Sequence, residues 1–415
     1  MPIDLRAQLR AALHQPVREG GPVARVESVT ELDDLSALGG HWFQSQYGPG
    51  YVVESIYEGA HTHGSIALHR ALGVDAATLA GQVRDPRLAD VAPSDFLYID
   101  TETTGLGGAG SLVFLAGAAR FDGSVLRLRQ YLLPSPQYEG GLLGGLAEDI
   151  AAAGALVSYN GKSFDLPMLE SRYILSRQEP VLRKLPHLDL LHPNRRLFRG
   201  AFDSHRLVRM EVELLEFERE DDCPSAEVPQ RYFRFQRSGD PTPILPVLRH
   251  NAWDVLSLVA LSAHLAGVCE GEGLPLQAGR AAEYAGDVSR ARVYYAEALD
   301  GQINRGARIE VLERLARCAA RDGDWGAAAT WWRALINEPR SRRLTPYVEL
   351  AKILEHRERD PASAAALMES ACEMLERGLL RPGAASSDVG TAAASRRLTR
   401  LRRKTGQPKK TCGIR

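Results

Sequence analysis

Residues 96–106 read FLYIDTETTGL, a short apolar run followed by two acids. The composition of residues 96–99 predicts a buried β-strand that ends at the acids. Side chains alternate along a strand, so Asp100 and Glu102 project from the same face. Two carboxylates held together without a cation repel and raise each other's pKa. The pair therefore predicts a site for a hard divalent cation, Mg²⁺ or Mn²⁺.

Two later motifs carry further acids. Asp165 lies in YNGKSFDLP, residues 159–167, where a predicted strand gives way to a predicted helix. Asp254 lies in HNAWDVLSL, residues 250–258, and its spacing from His250 puts both residues on one face of a helix. Taken singly, Asp165 and Asp254 are better explained as a helix cap, a turn residue or a surface carboxylate than as metal ligands. Jointly, the motifs predict four acids and a histidine at the ends of core elements.

The surrounding pattern is that of an α/β sheet. Residues 112–121 and 125–133 flank the turn signal Asp122-Gly123 and predict a hairpin. Further strands are predicted at 155–159 and 187–191, and helices at 146–153 and 166–176. The order strand, hairpin, helix, strand, helix, strand suits a ribonuclease-H-like core, although other α/β folds share it.

These motifs resemble those of the four-acid 3′-to-5′ exonuclease superfamily, whose three motifs would contain Asp100 with Glu102, Asp165, and Asp254. His250 places the chain with the histidine (DEDDh) type. More narrowly, residues 90–265 resemble the YprB-type ribonuclease-H-like proteins. The supporting segments are DLLHPNRRL at 189–197, DDCP at 221–224, EVPQRY at 227–232 and the pair His250-Asn251. Two features depart from the pattern: the spacing from Asn160 to Phe164, and Ser225 after Cys223-Pro224, where a glycine is expected.

The resemblance implies an α/β ribonuclease-H-like domain, with a mixed central sheet flanked by helices, that degrades DNA or RNA. Two Mg²⁺ or Mn²⁺ ions would be held by the acids, with Asp100 bridging both, Glu102 and Asp254 completing the first and Asp165 supporting the second. His250 would take the proton from the attacking water. The residues expected to contact the substrate are Thr103, Thr104, Leu106 and Asn160. Two alternatives stay open: a structure-specific endonuclease with the same site, and a catalytically vestigial scaffold that binds protein partners.

A chain of 415 residues is long for one domain. We predict an N-terminal extension at 1–90 with short strands and a helix, an exonuclease domain at 91–268, helical repeats at 275–380, and a basic, disordered tail at 381–415. The repeats are indicated by Gly286-Asp287, Gly323-Asp324 and Arg359-Asp360, which recur about every 36 residues. They resemble a degenerate all-α tetratricopeptide array, and their aromatic residues are predicted to pack in its core.

The remaining features are less specific. The absence of a signal, a lipid motif or a long apolar run predicts a cytoplasmic protein without membrane contact. Scattered cysteines argue against a disulfide framework and a zinc site, and His61 and His63 lack further ligands, which favours a loop over a metal site. The basic tail is expected either to contact nucleic acid or to be solvated. Packing and nucleic-acid contact are equally expected for Arg195, Arg196, Arg231, Tyr232, Phe233, Arg234 and Phe235.

Overall fold

The computed structural model describes residues 35–105, 110–179, 182–339, 341–381 and 391–406. Its strands are β1 His41–Ser45, β2 Gly48–Glu58, β3 Thr62–His63, β4 Ile66–Ala67, β5 Phe96–Thr103, β6 Val113–Asp122, β7 Val125–Leu132, β8 Ala155–Ser158 and β9 His187–Asp189. Seven of them form one mixed sheet in the order β1-β2-β7-β6-β5-β8-β9, and β3 pairs with β4. The pairs β5–β8 and β8–β9 are parallel, and the other neighbours in the sheet are antiparallel.

Helices cover the sheet and then continue alone towards the C-terminus. Their bounds are α1 Ala76–Val83, α2 Glu139–Ala151, α3 Asp165–Leu175, α4 Leu191–Leu197, α5 Leu207–Met210 with a π-helical turn at Glu211–Leu215, α6 Val228–Ser238, α7 Leu245–Glu270, α8 Pro275–Ala285, α9 Val288–Asp300, α10 Arg305–Arg321, α11 Trp325–Asn337, α12 Thr345–His356, α13 Pro361–Glu376 and α14 Thr391–Lys404. Short 3₁₀ turns connect several of these elements. The expected ribonuclease-H-like α/β region and all-α C-terminal region are confirmed.

The two predicted strands of the hairpin illustrate why these residues form a sheet. The apolar run of β6 is buried along almost its whole length, and β7 alternates buried and half-buried residues. Gly123 joins them with φ of 61°, a conformation that glycine adopts without strain. β5 continues the sheet with four fully buried residues before its acids begin. The strand that carries the acids is therefore fixed on both sides, by β6 and by β8.

Helix α2 begins at Glu139, earlier than the helix predicted at 146–153. The difference lies in the stretch Gly140-Gly-Leu-Leu-Gly-Gly145, whose glycines disfavour a helix in isolation. They are required by close packing against the sheet: a Cβ atom on Gly141 would lie 1.9 Å from the carbonyl oxygen of Pro49 in β2, and one on Gly144 would lie 2.5 Å from Ser45 Oγ in β1. Tertiary contact thus outweighs local propensity at this point.

The segment predicted as a separate N-terminal extension contributes to the main sheet. β2 pairs with β7 from Tyr51 opposite Leu132 to Glu58 opposite Val125, and β1 pairs with β2. The boundary expected at residue 90 therefore does not separate two units, because main-chain hydrogen bonds cross it. Residues 1–34 lie outside the described part of the chain.

Helix α7 is the central helix of the α/β region, and most of its residues are buried. Its apolar face packs against β5 and β6. The stretch Thr242–Glu270 is long and apolar enough to cross a membrane, and 83% of its most apolar window is buried inside the protein. Among the described helices it alone passes that test. Its apolar length is accounted for by its place in the core.

Helices α8 to α13 form three successive hairpins at the spacing that the sequence predicts. The residue before each repeated aspartate has a positive φ: Gly286 at 91°, Gly323 at 77° and Arg359 at 54°. The aspartates then cap the second helix of each hairpin by accepting main-chain N–H groups. Tyr295 and Trp332 are buried between helices, as the packing interpretation expects.

Part of the basic tail is an ordered helix rather than the expected disordered segment. Helix α14 buries Leu398 and Leu401 against the repeats. The carboxylate of Glu355, whose side chain is only 1% exposed, lies 2.6 Å from Lys404 Nζ and also pairs with Arg397 and Arg400. Several basic charges are therefore neutralised within the protein and are less available to phosphates. Residues 407–415 lie outside the described part of the chain.

Arg280 on α8 joins the helical hairpins to the α/β region. Its guanidinium donates to the carbonyl oxygen of Leu197 at the end of α4, and it pairs with Glu310 on α10 at 2.6 Å. The side chains of Arg280 and Glu310 are 7% and 21% exposed, so this pair is shielded from solvent. Removing Arg280 takes away the nearest and most buried partner of Glu310, which keeps only the longer contacts with Arg199 at 3.3 Å and Arg314 at 3.7 Å.

We expect Arg280→Ala to lower the free energy of unfolding by about 2–3 kcal/mol, which is slightly below the range for a fully buried pair. Urea denaturation followed by circular dichroism measures this loss. Arg308→Ala is the matched control, because Arg308 pairs with Glu338 but is 45% exposed. The control should lose less than about 0.5 kcal/mol. Equal losses in the two variants would contradict the assigned role of Arg280.

Candidate active site

The first two acids lie at the end of β5, as the sequence predicts. Asp100 stands opposite Gly117 of β6, and Glu102 stands opposite Leu115. The register shifts between Glu102 and Thr103, so the regular ladder ends directly after the second acid. Asp100 and Glu102 are both half-buried. The strand therefore presents two carboxylates at the point where it leaves the sheet.

Asp165 reaches β5 from the first turn of α3. Its Oδ1 accepts hydrogen bonds from the main-chain N–H of Thr101 at 3.2 Å and from Thr101 Oγ1 at 2.5 Å. The carboxylate is thus turned towards the strand, and α3 has no side-chain cap of its own. The helix-cap explanation for Asp165 is not supported, because its hydrogen bonds go to another element.

The loop before Asp165 is held by a buried carboxylate at the end of β9. Asp189 Oδ1 accepts the N–H of Asn160 at 2.7 Å, and Oδ2 accepts the N–H of Lys162 at 3.1 Å. Asn160 has a φ of 66°, which turns the chain sharply after β8. The position of Asp165 therefore depends on two parallel strands, β8 and β9.

Helix α7 brings the third group of residues. One ligand atom from each of Glu102, His250 and Asp254 lies within 4.8 Å of the other two. His250 Nε2 is 3.4 Å from Asp254 Oδ2 and 3.8 Å from Glu102 Oε1. Asn251 Nδ2 donates to Asp100 Oδ2 at 2.9 Å. Three distant segments of the chain thus meet at one place.

Asn251 depends in turn on a glycine and a glutamine. Its Oδ1 accepts a hydrogen bond from Gln130 Nε2 at 2.9 Å, so the orientation of the amide is fixed. A Cβ atom on Gly117 would lie 2.3 Å from the same Oδ1. Only glycine leaves room for Asn251 to reach Asp100 across β6. In the sequence, the position of Asn251 beside His250 indicates that it belongs to the site. Nothing in the sequence indicates a role for Gln130 or Gly117.

The acids form one electrostatic group. Burial raises the pKa of Asp100 well above its ordinary value, and the carboxylates of Asp254, Asp165 and Glu102 raise it further, although Asn251 opposes them. Burial likewise raises the pKa of Glu102 well above its ordinary value, with Asp254 and Asp165 adding to the effect. Burial raises the pKa of Asp165 to about 6, against the hydrogen bonds from Thr101. A divalent cation would relieve this repulsion.

Arg219, which no motif in the sequence indicated, lies behind the acids. Its side chain is 3% exposed and lies 2.5 Å from Asp254 Oδ1 and 2.5 Å from Glu211 Oε1. Burial opposes the charge of Arg219, but Glu211 and Asp254 outweigh burial and raise its pKa. Arg219 is not among the residues that line the cleft over the acids, whereas Asp254 is. The guanidinium therefore engages one oxygen of Asp254 and leaves the cleft open.

A second missed residue, Asp222, orients the histidine. Asp222 Oδ1 is 2.7 Å from His250 Nδ1, while Arg219 Nη1 is 3.2 Å from the same nitrogen. A carboxylate only accepts, so Nδ1–H donates to Asp222, and the Arg219 guanidinium, which only donates, makes no hydrogen bond to that nitrogen. In the neutral imidazole, Nε2 is then left as the acceptor. This nitrogen faces Glu102 and Asp254. Asp222 belongs to the segment DDCP, which was a signal for the family but not for this role.

The four residues expected to contact a substrate differ in whether their polar groups are free to do so. Asn160 lines a cavity beside the acids. The N–H of Thr104 donates to the carbonyl oxygen of Leu112, and its hydroxyl accepts from Leu112, so its main-chain donor is not free for a nucleotide. Thr103 Oγ1 donates to the carbonyl oxygen of Gly105. Leu106 lies outside the described residues.

Other candidate residues belong to the core. The ring of His63 lies tilted against that of Phe217, with centroids 3.9 Å apart, and it hydrogen-bonds Ser257. Burial lowers the pKa of His63 to about 3, so it is a packed neutral histidine. Tyr232 and Phe235 are fully buried. Arg196 stacks over Tyr284 at 3.4 Å. The packing interpretation holds for these residues, and the described cysteines are free and buried.

The residues present fit a hard divalent cation. Asp100, Glu102, Asp165 and the Oδ2 atom of Asp254 supply the oxygen ligands that Mg²⁺ and Mn²⁺ prefer. Burial and the neighbouring carboxylates raise the pKa values of Asp100 and Glu102, and burial raises that of Asp165, so a cation would stabilise all three in the charged form. An imidazole nitrogen lies at the edge of this set. The site suits hydrolysis of a phosphate ester assisted by a metal.

Comparison with known proteins agrees with this geometry. Residues 97–266 match the model of the RNase_H superfamily, a range that contains all four acids and His250. The chain is also 31% identical over 329 residues to the uncharacterized protein YprB of Bacillus subtilis strain 168. That similarity spans 75% of this chain and 75% of the relative.

The stability of the metal-free protein should depend on pH through Asp165. A pKa raised from 3.8 to about 6 gives stability that is present below the unfolded value and lost as the pH rises through about 6. We therefore expect metal-free Asp165→Asn to be more stable than the wild type at pH 7.5, by about 1–3 kcal/mol. The difference should shrink below pH 6 and vanish near pH 4.

Denaturation in the presence of a chelator measures this difference. Saturating Mg²⁺ or Mn²⁺ should reverse the order of the two proteins, because the cation stabilises whichever folded protein binds it more tightly. A variant that is less stable than the wild type at every pH, with or without metal, would show that Asp165 serves the fold alone.

Proposed function

Because the chain belongs to the family of the Bacillus subtilis protein YprB and carries an RNase_H superfamily domain, we propose that it is a metal-dependent 3′-to-5′ exonuclease. The observation that supports the proposal most is the meeting of Glu102, His250 and Asp254 beside Asp100 and Asp165. A fold kept only as a scaffold does not require these carboxylates, whose mutual repulsion opposes folding without a cation.

The acids would hold two divalent cations. Asp100 is central, since its carboxylate interacts with those of Asp254, Asp165 and Glu102, and it would help to hold both ions. Glu102 and Asp254 would complete one ion site, and Asp165 would support the other. When bound, the two ions would stabilise negative charge on the attacking and leaving oxygens of an in-line displacement.

His250 would act as the general base. Asp222 holds Nδ1–H, so Nε2 keeps its lone pair on the side of Glu102 and Asp254. A water molecule between these groups could give its proton to Nε2 as its oxygen attacks the phosphorus atom. Arg219 acts through its partners, because it holds Asp254 and lies beside both Asp222 and His250.

The proposal is tested with purified full-length protein on end-labelled single- and double-stranded DNA and RNA in Mg²⁺ or Mn²⁺. Asp100→Asn and Asp254→Asn should each reduce degradation by about 10³-fold while circular dichroism shows retained structure. Asp122→Asn is the control, since this carboxylate at the β6–β7 turn is 73% exposed. Degradation that persists in both site variants would indicate a contaminant.

Label position and substrate shape separate the alternatives. Strands labelled at the 5′ end should shorten progressively if hydrolysis begins at the 3′ end. A circular single strand should resist an exonuclease, and its cleavage would instead favour the endonuclease alternative. An inactive wild type would favour a scaffold whose helical hairpins hold a protein partner.

The variant His250→Ala distinguishes a role of His250 as general base from a role as metal ligand. We expect turnover to fall by about 10²–10⁴-fold, the range for loss of a general base, with a much smaller change in Mn²⁺ affinity. Isothermal titration with Mn²⁺ and single-turnover kinetics measure the two quantities. A collapse of Mn²⁺ binding would show that His250 is a metal ligand instead. Asp222→Asn should lower turnover in the same direction, because it loosens control of the tautomer.

A further inference from the structure

The cleft over the acids continues beyond them. It has a volume of about 920 Å³, with Asp100, His250 and Asp254 on one side and residues from the segment 204–212 on the other. A neighbouring cavity of about 520 Å³ reaches Asn160 and Arg195. The two share four lining residues, namely Tyr159, Ser204, Arg206 and Leu207. They therefore form one channel that leads away from the acids.

Two arginines in this channel have free guanidinium groups. Arg206 and Arg195 are exposed, and within the described parts of the chain neither side chain has a hydrogen bond or an ion pair. Their neighbours differ: Arg209 pairs with Glu213 at 2.5 Å, and Arg196 is stacked on Tyr284. Unlike those neighbours, Arg195 and Arg206 are available to an anion. Asp203 is the one carboxylate among the residues that line the second cavity.

Tyr159 lies where the two cavities join. Its hydroxyl donates to the carbonyl oxygen of His205 at 2.6 Å, which fixes both the ring and the segment that carries Arg206. Leu207 and the exposed Val208 add apolar surface beside it. An aromatic ring between apolar side chains and unpaired arginines is the combination that binds unpaired nucleotides.

We propose that a single strand of nucleic acid lies in this channel, with Arg206 and Arg195 contacting phosphates on the 5′ side of the cleaved bond. Tyr159 contacts the intervening nucleotide. The inference rests on the proposed function and adds the substrate class to it. Cavities of about 920 and 520 Å³ have room for unpaired nucleotides, and an aromatic ring where they join stacks most readily on a base that is not paired in a duplex.

The variants Arg195→Gln and Arg206→Gln test the channel. Each should weaken binding of a dye-labelled single-stranded 12-mer about fivefold and lower the salt dependence of log K by about 0.7 per arginine removed. Fluorescence anisotropy in Ca²⁺ measures binding without relying on turnover, on DNA and RNA in separate arms. Arg206→Lys should recover most of the affinity, because it restores the charge. Arg333→Ala on α11, half exposed and outside the channel, is the control and should bind as the wild type does.

Kinetics on strands of different length give the second readout. The arginine variants should raise KM for the 12-mer far more than for a dinucleotide, which is too short to reach both side chains. A duplex with a single-stranded extension at the attacked end should be degraded at least about tenfold faster than a blunt duplex.

Three results would overturn the channel: unchanged 12-mer affinity, equal losses for dinucleotide and 12-mer, or tighter binding of blunt duplex. A wild type that binds strands through these arginines but hydrolyses none would instead contradict the proposed function alone.

Discussion

One buried cation makes the acidic site compatible with a folded protein. Arg219 lies among Glu211, Asp222 and Asp254. Its positive charge stabilises the ionised form of carboxylates that burial and mutual repulsion would otherwise favour as protonated acids. The network extends further, because Ser257 donates to Glu211 and accepts a hydrogen bond from His63. These hydrogen bonds join three elements behind the site: the β3–β4 hairpin, the π-helical turn and helix α7. Without such a partner, Glu211, which is fully buried, would carry an uncompensated charge.

The same helix serves the core and the chemistry. The apolar residues of α7 fill the space beneath the sheet, and its polar residues His250, Asn251 and Asp254 meet the end of β5. Because the helix is packed along almost its whole length, these side chains cannot shift as a group. The precision of the site thus comes from burial of the helix and not from the loops around it.

Much of the α/β region could be predicted because its signals are local. The apolar runs, the Asp122-Gly123 turn and the acid motifs each occupy a few consecutive residues, and the predicted strands agree with the observed ones. Arg219 and Gln130 could not be predicted in the same way. Each acts on a residue far along the chain, and an arginine or glutamine with buried partners looks like a surface residue in sequence.

The misjudged segments share one physical cause. The glycines of α2 disfavour a helix until their contact with β1 and β2 is considered, and the basic tail looks disordered until its pairing with Glu355 is considered. In both cases a tertiary contact supplies what the local sequence lacks. The helical hairpins could be predicted more readily, because a turn and a capping aspartate recur at fixed spacing and need no distant partner.

The pairing of β2 with β7 determines where the chain can be cut. A fragment that starts at residue 91 would keep every acid and the central helix, yet it would strip β7 of its partner from Leu132 to Val125. The uncovered strand would offer a row of unsatisfied amides and carbonyls to any neighbouring molecule, which is how sheets recruit one another into aggregates. A soluble catalytic fragment therefore has to begin before β1, at about residue 35, where the first buried leucines already pack beneath the sheet.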